Sequence, residues 1–308
     1  MKKRSVISLI GNTPLVRLNK LSGDGFNLFC KLEYMQPGGS IKDRAALQII
    51  RDAYSSGKLV EGQSVVEMTS GNMGSGLAVV CKYFGNPFTA VMSSGNSKER
   101  VKILKALGAD VVITGQIDGQ EGMVTGKDIE YASERARRIA KDIGGYYVDQ
   151  FNNMSGIKAH FLTTGPEIWH DLPEIDAFVT SIGTAGTFTG IAQFLKIQNM
   201  RIKCIAVEPE NAAIIKKGYI DNPMHIIQGT GYGLMPPNWK IGLADDIVTV
   251  SDEEVREMTK LLAREEGLYA GYSSGANVAA AFKYAKSNSL IKNIVTILCD
   301  TGYKYSDI

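Results

Sequence analysis

One lysine of this chain stands where a turn of small residues meets an apolar helix. The segment 37–44 reads P-G-G-S-I-K-D-R, which places Lys42 just before a helix predicted over 45–50. A lysine that attacks an aldehyde must first lose its proton, and burial beside suitable neighbours lowers its pKa for that purpose. Lys42 therefore fits a Schiff-base lysine. Taken alone, it fits an ordinary lysine in the first turn of a helix better.

A second segment has the composition of an anion site. Residues 67–76 read E-M-T-S-G-N-M-G-S-G, follow a predicted strand and open a helix predicted over 77–84. Such a turn directs several backbone N–H groups and short hydroxyls at one point, and the helix dipole favours negative charge there. An amino-acid carboxylate would fit. The alternative is a helix N-terminus capped by Ser70 or Asn72, with glycines that serve only the turn.

A third segment follows a strand predicted over 177–182. Residues 183–190 read G-T-A-G-T-F-T-G and lead into a helix predicted over 191–195. Their N–H groups and the hydroxyls of Thr184 and Thr187 could hold a phosphate dianion without any lysine. The segment lacks the G-K-[ST] of a P-loop and the G-x-G-x-x-G of a dinucleotide fingerprint, so a nucleotide is a weak interpretation.

Two further glycine-rich turns are ambiguous. Residues 271–275, G-Y-S-S-G, precede a helix and suit either helix capping or ligand binding. Residues 228–233, Q-G-T-G-Y-G, have no clear helix after them, so a flexible loop alone would explain them.

These turns are carried by short β-branched strands that alternate with longer segments of helical period, which is typical of a parallel sheet covered by helices. Strands are predicted near 28–32, 65–68, 88–92, 111–114, 177–182, 202–207, 247–250 and 294–298. Besides the helices after the turns, helices are predicted at 97–107, 127–143, 156–169, 253–266 and 275–287. At 308 residues the chain exceeds one ordinary core, so we expect an α/β protein with two lobes that share a cleft.

The charge balance and the cysteines exclude several classes of protein. The net charge of +2 comes from 34 basic and 32 acidic residues without a long run of one sign, which argues against nucleic acid or a membrane surface as partner. Cys30, Cys81, Cys204 and Cys299 form no C-x-x-C pair, which indicates core thiols in a reducing compartment and neither a disulfide framework nor a metal site. No apolar stretch has the length of a membrane span or of a signal peptide. We therefore expect a cytoplasmic protein.

In this order, the segments resemble the cysteine synthase family, that is the O-acetylserine sulfhydrylases and their relatives the cystathionine β-synthases. The resemblance runs from I-G-N-T-P-L-V at 10–16 to D-T-G at 300–302 and includes T-T-G-P-E-I-W at 163–169. The family spacing of thirty residues separates Lys42 from Asn72.

The resemblance implies the two-lobed fold of the tryptophan-synthase-β type, known as pyridoxal-phosphate fold type II. Mostly parallel sheets would be flanked by helices, with the active site between the lobes. A smaller mobile lobe would span 45–145 and carry the carboxylate loop. Residues 1–44 and 146–308 would form the larger lobe, with the phosphate loop and the serine at the pyridine nitrogen.

The resemblance also assigns a role to each candidate residue around a pyridoxal 5'-phosphate cofactor, and it implies no metal. Lys42 would hold the cofactor as a Schiff base and then remove the Cα proton. Asn72 would hydrogen-bond the oxygen on the ring, and Ser273 would meet the pyridine nitrogen. The phosphate would be bound by Gly183, Thr184, Ala185, Gly186 and Thr187. The substrate would be bound by Thr69, Ser70, Gly71, Asn72, Met73, Gln150, Gly229 and Tyr232.

A serine at the pyridine nitrogen has a chemical consequence, because a neutral hydroxyl does not keep that nitrogen protonated as a carboxylate would. The ring is then a weaker electron sink. This suits loss of a β-substituent followed by addition of a nucleophile to the resulting alkene, and it penalises transamination. Closure of the lobes over the carboxylate would keep water out.

The chain departs from the family pattern in two loops. The carboxylate loop usually reads T-S-G-N-T-G-I-G, and here Met73 and Ser75 replace the second threonine and the isoleucine. In the loop that usually reads G-I-G-A-G, Thr230 and Tyr232 replace isoleucine and alanine. Met73 resembles the plant β-cyanoalanine synthases, and Tyr232 resembles the cystathionine β-synthases. Tyr232 would crowd the space that an acetyl group needs, which makes the donor the open question.

Three functions are compatible with these residues. The first is a cysteine synthase that forms cysteine from O-acetylserine and sulfide. The second, in the same fold, uses cysteine or serine as donor and releases hydrogen sulfide. The third is an inactive homologue that binds a partner's C-terminal peptide, and the presence of Lys42, Asn72 and Ser273 argues against it. The implied partners are a small amino acid and a small nucleophile, a second copy in a homodimer, and the C-terminal peptide of a serine acetyltransferase.

Overall fold

A computed structural model of the chain describes residues 5–23, 25–69, 71–122 and 124–305. The chain divides into two compact units, each with its own sheet and hydrophobic core. The first unit comprises the chain up to Gly11 and the segment Gln36–Ala159. The second unit comprises Asn12–Met35 and the chain from His160 onward.

Strands and helices alternate along most of the chain. In chain order the strands are β1 (Leu15–Arg17), β2 (Asn27–Leu32), β3 (Val65–Met68), β4 (Phe88–Ser93), β5 (Asp110–Thr114), β6 (Tyr146–Tyr147), β7 (Ala177–Ser181), β8 (Lys203–Pro209), β9 (Asp246–Val250) and β10 (Asn293–Leu298). The α-helices are α1 (Lys42–Ser55), α2 (Asn72–Phe84), α3 (Lys98–Ala106), α4 (Gly126–Asp142), α5 (Ser155–Ala159), α6 (Gly165–Asp171), α7 (Gly186–Gln198), α8 (Ile214–Lys217), α9 (Asp252–Glu266) and α10 (Tyr272–Ser287). Within the described residues, no helix is both long and apolar enough to cross a membrane.

The sheet of the first unit has the strand order β5-β4-β3-β6, and all its strands run parallel. Every residue of β3 is buried, as is usual for a parallel strand covered on both faces. Helices α1 and α2 pack against each other at Gly76, where a Cβ would lie 3.1 Å from Cα of Asp43 and 3.2 Å from Cβ of Ala46. The two helices that follow the first two candidate turns therefore form one packed pair.

The sheet of the second unit has the order β1-β2-β10-β7-β8-β9. The edge strand β1 is antiparallel to β2, and the other neighbours are parallel. Helices α9 and α10 approach closely at Gly275, where a Cβ would lie 2.0 Å from Oγ1 of Thr259. Since larger residues cannot occupy that position without moving α9, Gly275 fixes the start of α10 against its neighbour.

Two segments of the resemblance meet at the buried side chain of Lys31. Its Nζ donates to the carbonyl oxygen of Thr13 (2.6 Å) and forms ion pairs with Glu167 (3.0 Å) and Asp171 (3.3 Å). The N–H of Asn12 also donates to Glu167 (3.0 Å). A buried ammonium needs such compensation, so the segments 10–16 and 163–169 are held together by one lysine in β2.

The predicted fold class is confirmed, because parallel sheets flanked by helices make up both units. All eight predicted strands are present, with bounds that differ by at most two residues. The short strands β1 and β6 were not predicted. The single helix expected at 156–169 is wrong in detail, since a π-helical turn, His160–Thr164, separates α5 from α6.

The lobe boundaries expected from the resemblance differ from the two compact units. The segment up to Gly11 and the residues 36–44 and 146–159, all expected in the larger lobe, group with the first unit, so that unit is larger than the expected lobe at 45–145. Compactness does not report motion. A mobile segment at 45–145 therefore stays a prediction.

Candidate active site

Lys42 is the first residue of α1, and the turn before it is fixed by side-chain hydrogen bonds. The N–H of Lys42 donates to Oγ of Ser40 (3.3 Å), and the N–H of Gly38 donates to the carboxylate of Asp43. A Cβ at Gly38 would lie 2.5 Å from Oδ1 of Asp43, so the turn needs glycine there. Lys42 is half-buried. Its backbone is thus rigidly placed, which covalent catalysis requires, while the covalent role itself stays a prediction.

The segment after β3 is shaped by the hydroxyl of Thr69. Its Oγ1 accepts hydrogen bonds from the N–H groups of Gly71 (3.0 Å) and Gly74 (2.9 Å). Gly71 has a φ of 137°, and a Cβ there would lie 2.9 Å from Cδ of Arg100. Only glycine adopts this backbone without strain, so the sequence T-x-G is dictated by the turn itself.

Helix α2 begins at Asn72 without a capping side chain on its N-cap residue Gly71. Asn72 is therefore a helical residue and not the cap that one sequence interpretation allowed. Ser70, the other candidate cap, lies outside the described residues. Such a helix start favours an anion, as the carboxylate interpretation expects.

Gln150 lies beside this segment, in the same unit. Its Nε2 donates to the carbonyl oxygen of Met68 (2.9 Å), the residue before Thr69. The N–H of Gln150 donates to Oε1 of Glu67 (3.4 Å). The structure therefore places Gln150 against the end of β3, directly before Thr69, and it adds Glu67, to which the sequence assigned no role. Binding of a substrate by Gln150 stays a prediction.

The side chain of Met73 belongs to the hydrophobic core of the first unit, with 3% of its surface exposed. Asn72, its neighbour in the first turn of α2, is half-buried. A core position disfavours direct contact between the Met73 side chain and a substrate. The assignment of Met73 to the substrate-binding residues stays a prediction, and its backbone is better placed for that role than its thioether.

The loop 183–187 of the second unit, called the phosphate loop after the role that the resemblance implies, lies against the backbone of another loop. A Cβ at Gly183 would lie 2.3 Å from the carbonyl oxygen of Gly229. Ala185 adopts the left-handed conformation (φ 65°) as the N-cap of α7, where it offers no capping side chain. A non-glycine residue in that conformation is strained, and such strain is concentrated at functional sites.

His160 is a second residue that sequence reasoning missed. It lies in the π-helical turn, where Nδ1 shares a hydrogen bond with Oγ1 of Thr164 (2.9 Å) and Nε2 shares one with Oγ1 of Thr187 (3.2 Å). Insertions of this kind into helices are frequent at functional sites. His160 therefore orients the hydroxyl that the resemblance assigns to the phosphate.

The loop 183–187 fits the phosphate group of pyridoxal phosphate. The N-cap residue of α7, Ala185, supplies no capping side chain, so the N–H groups of the first turn and the helix dipole suit a dianion. Thr187 adds an oriented hydroxyl. The binding roles of Gly183, Thr184, Ala185, Gly186 and Thr187 stay predictions that this geometry supports.

Ser273 lies in the first turn of α10 and is 9% exposed. Its neighbour Ser274 accepts the N–H of Cys299 (2.9 Å), which ties α10 to the end of β10. Asn277 donates to the sulfur of Cys299 (3.4 Å) and accepts the N–H of Ser181 (2.7 Å). One buried amide thus connects α10, the end of β10 and the strand that leads to the phosphate loop.

The cysteines are largely as expected from the sequence. Cys30, Cys81 and Cys204 are buried, and burial raises the pKa of the Cys81 and Cys204 thiols to about 12. Cys299 differs because it is only partly buried, although desolvation also raises its thiol pKa to about 12. A thiol with that pKa stays protonated at neutral pH and does not act as a nucleophile.

Hydrogen bonds link the loop 228–233 to the residues just before it. Oγ1 of Thr230 donates to the carbonyl oxygen of Ile227 (2.8 Å), and Nε2 of His225 lies 3.2 Å from the carbonyl oxygen of Gly231. Tyr232 is half-buried, and its hydroxyl lies 3.8 Å from where a Cβ on Gly229 would be. Through Gly229, this loop abuts the phosphate loop at Gly183.

Comparison with known proteins gives the same family as the motifs. The family model for a pyridoxal-phosphate dependent enzyme matches residues 6–300. A cysteine synthase of Staphylococcus aureus (strain Mu50 / ATCC 700699) is 36% identical over 304 residues, which cover 98% of this chain and 94% of the relative.

Solved structures of related enzymes support the same family. The crystal structure of an O-ureido-L-serine synthase matches with a TM-score of 0.92 at 35% identity and covers 100% of this chain and 95% of that chain. That of a hydrogen sulfide-producing enzyme from Fusobacterium nucleatum matches with a TM-score of 0.90 at 36% identity, covering 99% and 98%. The expected fold type and the expected cofactor are thereby confirmed. The chain belongs to the family of pyridoxal-phosphate-dependent enzymes that includes the cysteine synthases.

Proposed function

We propose that this pyridoxal-phosphate-dependent β-replacement enzyme forms cysteine from O-acetylserine and sulfide. The observation that carries the proposal is the geometry of the loop 183–187 at the start of α7. This loop offers N–H groups and the oriented hydroxyl of Thr187 to a phosphate, and Ser273 of the same unit offers a neutral hydroxyl in place of a carboxylate. That combination suits β-replacement better than transamination.

The residues divide the work between binding and proton transfer. When bound, pyridoxal phosphate withdraws electrons from the amino acid, which makes the Cα proton removable and the β-substituent a leaving group. Lys42 Nζ holds the cofactor and then takes that proton. Thr69, Ser70, Gly71, Met73 and Gln150 bind the carboxylate, Asn72 holds both carboxylate and cofactor, and Ser273 donates to the ring nitrogen.

The reaction is balanced without a further reactant. The bond between Cβ and the acetyl oxygen breaks as the Cα proton passes to Lys42, and acetate leaves with the electron pair. The sulfur of hydrogen sulfide then bonds to Cβ as one S–H proton goes to the released acetate or to solvent, and a proton returns from Lys42 to Cα. Because no redox step occurs, the geometry needs only a base, an anion site for the carboxylate and exclusion of water.

The experiment that tests the proposal is a donor and nucleophile panel with the purified holoenzyme. O-acetylserine, cysteine and serine are each supplied with sulfide, cyanide or homocysteine, and the products are identified by mass spectrometry. Cysteine from O-acetylserine and sulfide as the fastest reaction supports the proposal. A protein without visible cofactor absorbance and without turnover of any donor contradicts it and supports the inactive peptide-binding homologue.

A second candidate uses cysteine or serine as donor and releases hydrogen sulfide. The observation that favours it is the half-buried Tyr232, held in a loop whose carbonyl at Gly229 touches the phosphate loop. Its phenol takes volume that an acetyl group would need, and it supplies an O–H to a departing thiolate or hydroxide. The hydrogen sulfide-producing enzyme at 36% identity is a precedent among the relatives.

Removing the Tyr232 ring is expected to favour the larger donor. Tyr232→Ala should raise kcat/KM for O-acetylserine relative to cysteine by roughly tenfold, a pocket effect of ~1.4 kcal/mol. The double change with Met73→Thr should add little, because the Met73 side chain lies in the core. Met73→Thr alone is the comparison variant and should mainly lower stability, by about 1–3 kcal/mol. An unchanged donor ratio in both Tyr232 variants would refute a specificity role for this residue.

Replacing the serine at the ring nitrogen by a carboxylate is expected to change the reaction outcome. Ser273→Asp should retain cofactor, slow β-replacement by at least about tenfold (~1.4 kcal/mol) and allow side reactions, because a carboxylate favours the protonated pyridine. Rates and by-products are compared with those of Ser289→Asp, a change at an exposed serine. Wild-type rates and product partition in Ser273→Asp would argue against placing Ser273 at the ring nitrogen.

The expected partners belong to the same proposal. We infer a homodimer, as the resemblance implies, with the C-terminal peptide of a serine acetyltransferase as a further ligand, and a cytoplasmic setting in which the four cysteines stay reduced. Neither nucleic acid nor a membrane is expected to bind. Sedimentation equilibrium with and without such a peptide tests both associations.

A further inference from the structure

Glu67 is a buried carboxyl that none of the roles above uses. It lies in β3, pairs in register with Ala90 of β4 and is 1% exposed. It stands two residues before Thr69, at the entrance to the proposed carboxylate loop. Burying an ionised carboxylate costs free energy unless hydrogen bonds or opposite charges compensate it. The groups around Glu67 therefore decide whether it is ionised.

Glu67 and its successor hold Gln150 at two points. Oε1 of Glu67 accepts the N–H of Gln150 (3.4 Å), and the carbonyl oxygen of Met68 accepts its side-chain Nε2 (2.9 Å). Within the described part of the chain, Oε2 of Glu67 has no hydrogen-bond partner. The backbone and the side chain of Gln150 are therefore both set by consecutive residues of β3.

The turn that carries Gln150 is well defined. Asp149 adopts the left-handed conformation (φ 54°), and its carbonyl oxygen accepts the N–H groups of Asn152 (3.0 Å) and Asn153 (2.9 Å). Nδ2 of Asn153 donates to the carbonyl oxygen of Val148 (2.8 Å). Since this turn is closed on itself, the remaining freedom of Gln150 is limited by its contact with β3.

The charges around Glu67 favour its neutral form. Desolvation raises the pKa of Glu67, and the carboxylate of Asp149 acts in the same direction. The hydrogen bonds from Gln150 and from the backbone of Asp149 oppose them, and the resulting pKa is about 8. The phenols of Tyr146 and Tyr147 also interact with the charge of Glu67, and burial raises their pKa values. From α4, Arg137 stacks on the ring of Tyr147 at 5.5 Å.

We propose that Glu67 is a positioning residue which holds Gln150 in place for the substrate carboxylate. The inference rests on the role proposed above for Gln150. Without the acceptor at Oε1 of Glu67, the N–H of Gln150 loses its partner, and the contact between the turn at 149–150 and β3 is reduced to the bond with the carbonyl oxygen of Met68. Substrate binding then weakens, while the chemical step, which Lys42 performs, is affected less.

The test compares wild type with Glu67→Gln, Glu67→Ala and a control, Glu61→Gln. Glutamine keeps the acceptor for the Gln150 N–H and cannot ionise, and Glu61 is an exposed carboxyl just before β3. KM for the amino-acid donor and kcat are measured on the holoenzyme from pH 6.5 to 9.5. The ratio of two variants at each pH cancels the ionisation of the substrate amine.

Glu67→Ala should raise KM about tenfold at every pH, while kcat changes less than about threefold, and Glu67→Gln should restore KM because it keeps the acceptor. A KM of Glu67→Ala equal to that of wild type, or a KM of Glu67→Gln as high as that of Glu67→Ala, overturns the inference. Absence of turnover in wild type at every pH is a different result, because it refutes the proposed function.

A readout without catalysis checks the buried acid itself. The native pKa of Glu67 lies above that of the unfolded chain, so the native state binds more protons between about pH 5 and pH 8. The denaturation midpoint of wild type, relative to Glu67→Gln, should therefore fall as the pH rises through this window and level off above about pH 8. Parallel midpoints for the two proteins would overturn the placement of Glu67 as a neutral buried acid.

Discussion

Replacing Lys42 by alanine is expected to lower turnover by at least roughly 10³-fold, since one amine would lose two tasks, attachment of the cofactor and transfer of the Cα proton. Lys42 is the first residue of α1, and the hydrogen bonds of Ser40 and Asp43 hold the turn before it. Alanine is a good helix former, so α1 should be preserved. The loss would be chemical and not a failure to fold.

Two measurements separate these tasks. Steady-state rates with the best donor give the loss of turnover, and borohydride reduction followed by peptide mapping should place the cofactor on the peptide that contains Lys42 in wild type only. Lys58→Ala, at an exposed lysine after α1, is the control and should retain wild-type values. Cofactor recovered on another lysine, or full activity of Lys42→Ala, would refute the assignment.

Adding a single methyl group at Gly183 is expected to weaken cofactor binding by roughly a hundredfold or more, about 3 kcal/mol. The new Cβ would lie 2.3 Å from the carbonyl oxygen of Gly229, which is backbone and cannot rotate away. Gly183 does not need a positive φ, so the clash alone opposes alanine. Relief of the clash moves either the phosphate loop or the loop 228–233, which carries Tyr232.

The matched control is Gly156→Ala in α5. No atom lies within 4 Å of a Cβ at Gly156, and its φ is also not positive, so the same substitution is harmless there. Cofactor affinity is measured by titrating the apoprotein with pyridoxal phosphate and following absorbance or quenching of tryptophan fluorescence. Equal affinities for Gly183→Ala and Gly156→Ala would show that the close approach of Gly229 has no part in binding.

The parallel strands could be predicted because each is a short β-branched or apolar run bounded by turn residues. Strands β1 and β6 could not, since they contain three and two residues and are defined by their neighbours. Leu15 pairs with Lys31, and Tyr146 pairs with Val65. Short edge strands owe their conformation to tertiary pairing more than to local propensity.

The turns that begin helices at the site could also be predicted from local sequence, because glycines and hydroxyl-bearing residues follow a strand within a few residues. Glu67 and His160 were missed because their partners are distant in sequence. Glu67 and Gln150 are 83 residues apart, and His160 and Thr187 are 27 apart. The burial of the Met73 side chain could not be predicted either, because a residue in the first turn of a helix can face the core or the solvent.

The order of strands in the second sheet has a consequence for biosynthesis. Strand β2 lies between β1 and β10, and Asn27 of β2 bonds Asn293 of β10 across 266 residues of sequence. At translation rates of about 5–20 residues per second, Asn293 is synthesised roughly 13 to 53 seconds after Asn27. The four strands of the first sheet are complete much earlier. During that interval β2 and β7 both have an open edge, and open edges invite pairing with other chains. A ribosome that stalls before Asn293 would therefore hold a nascent chain in need of a chaperone.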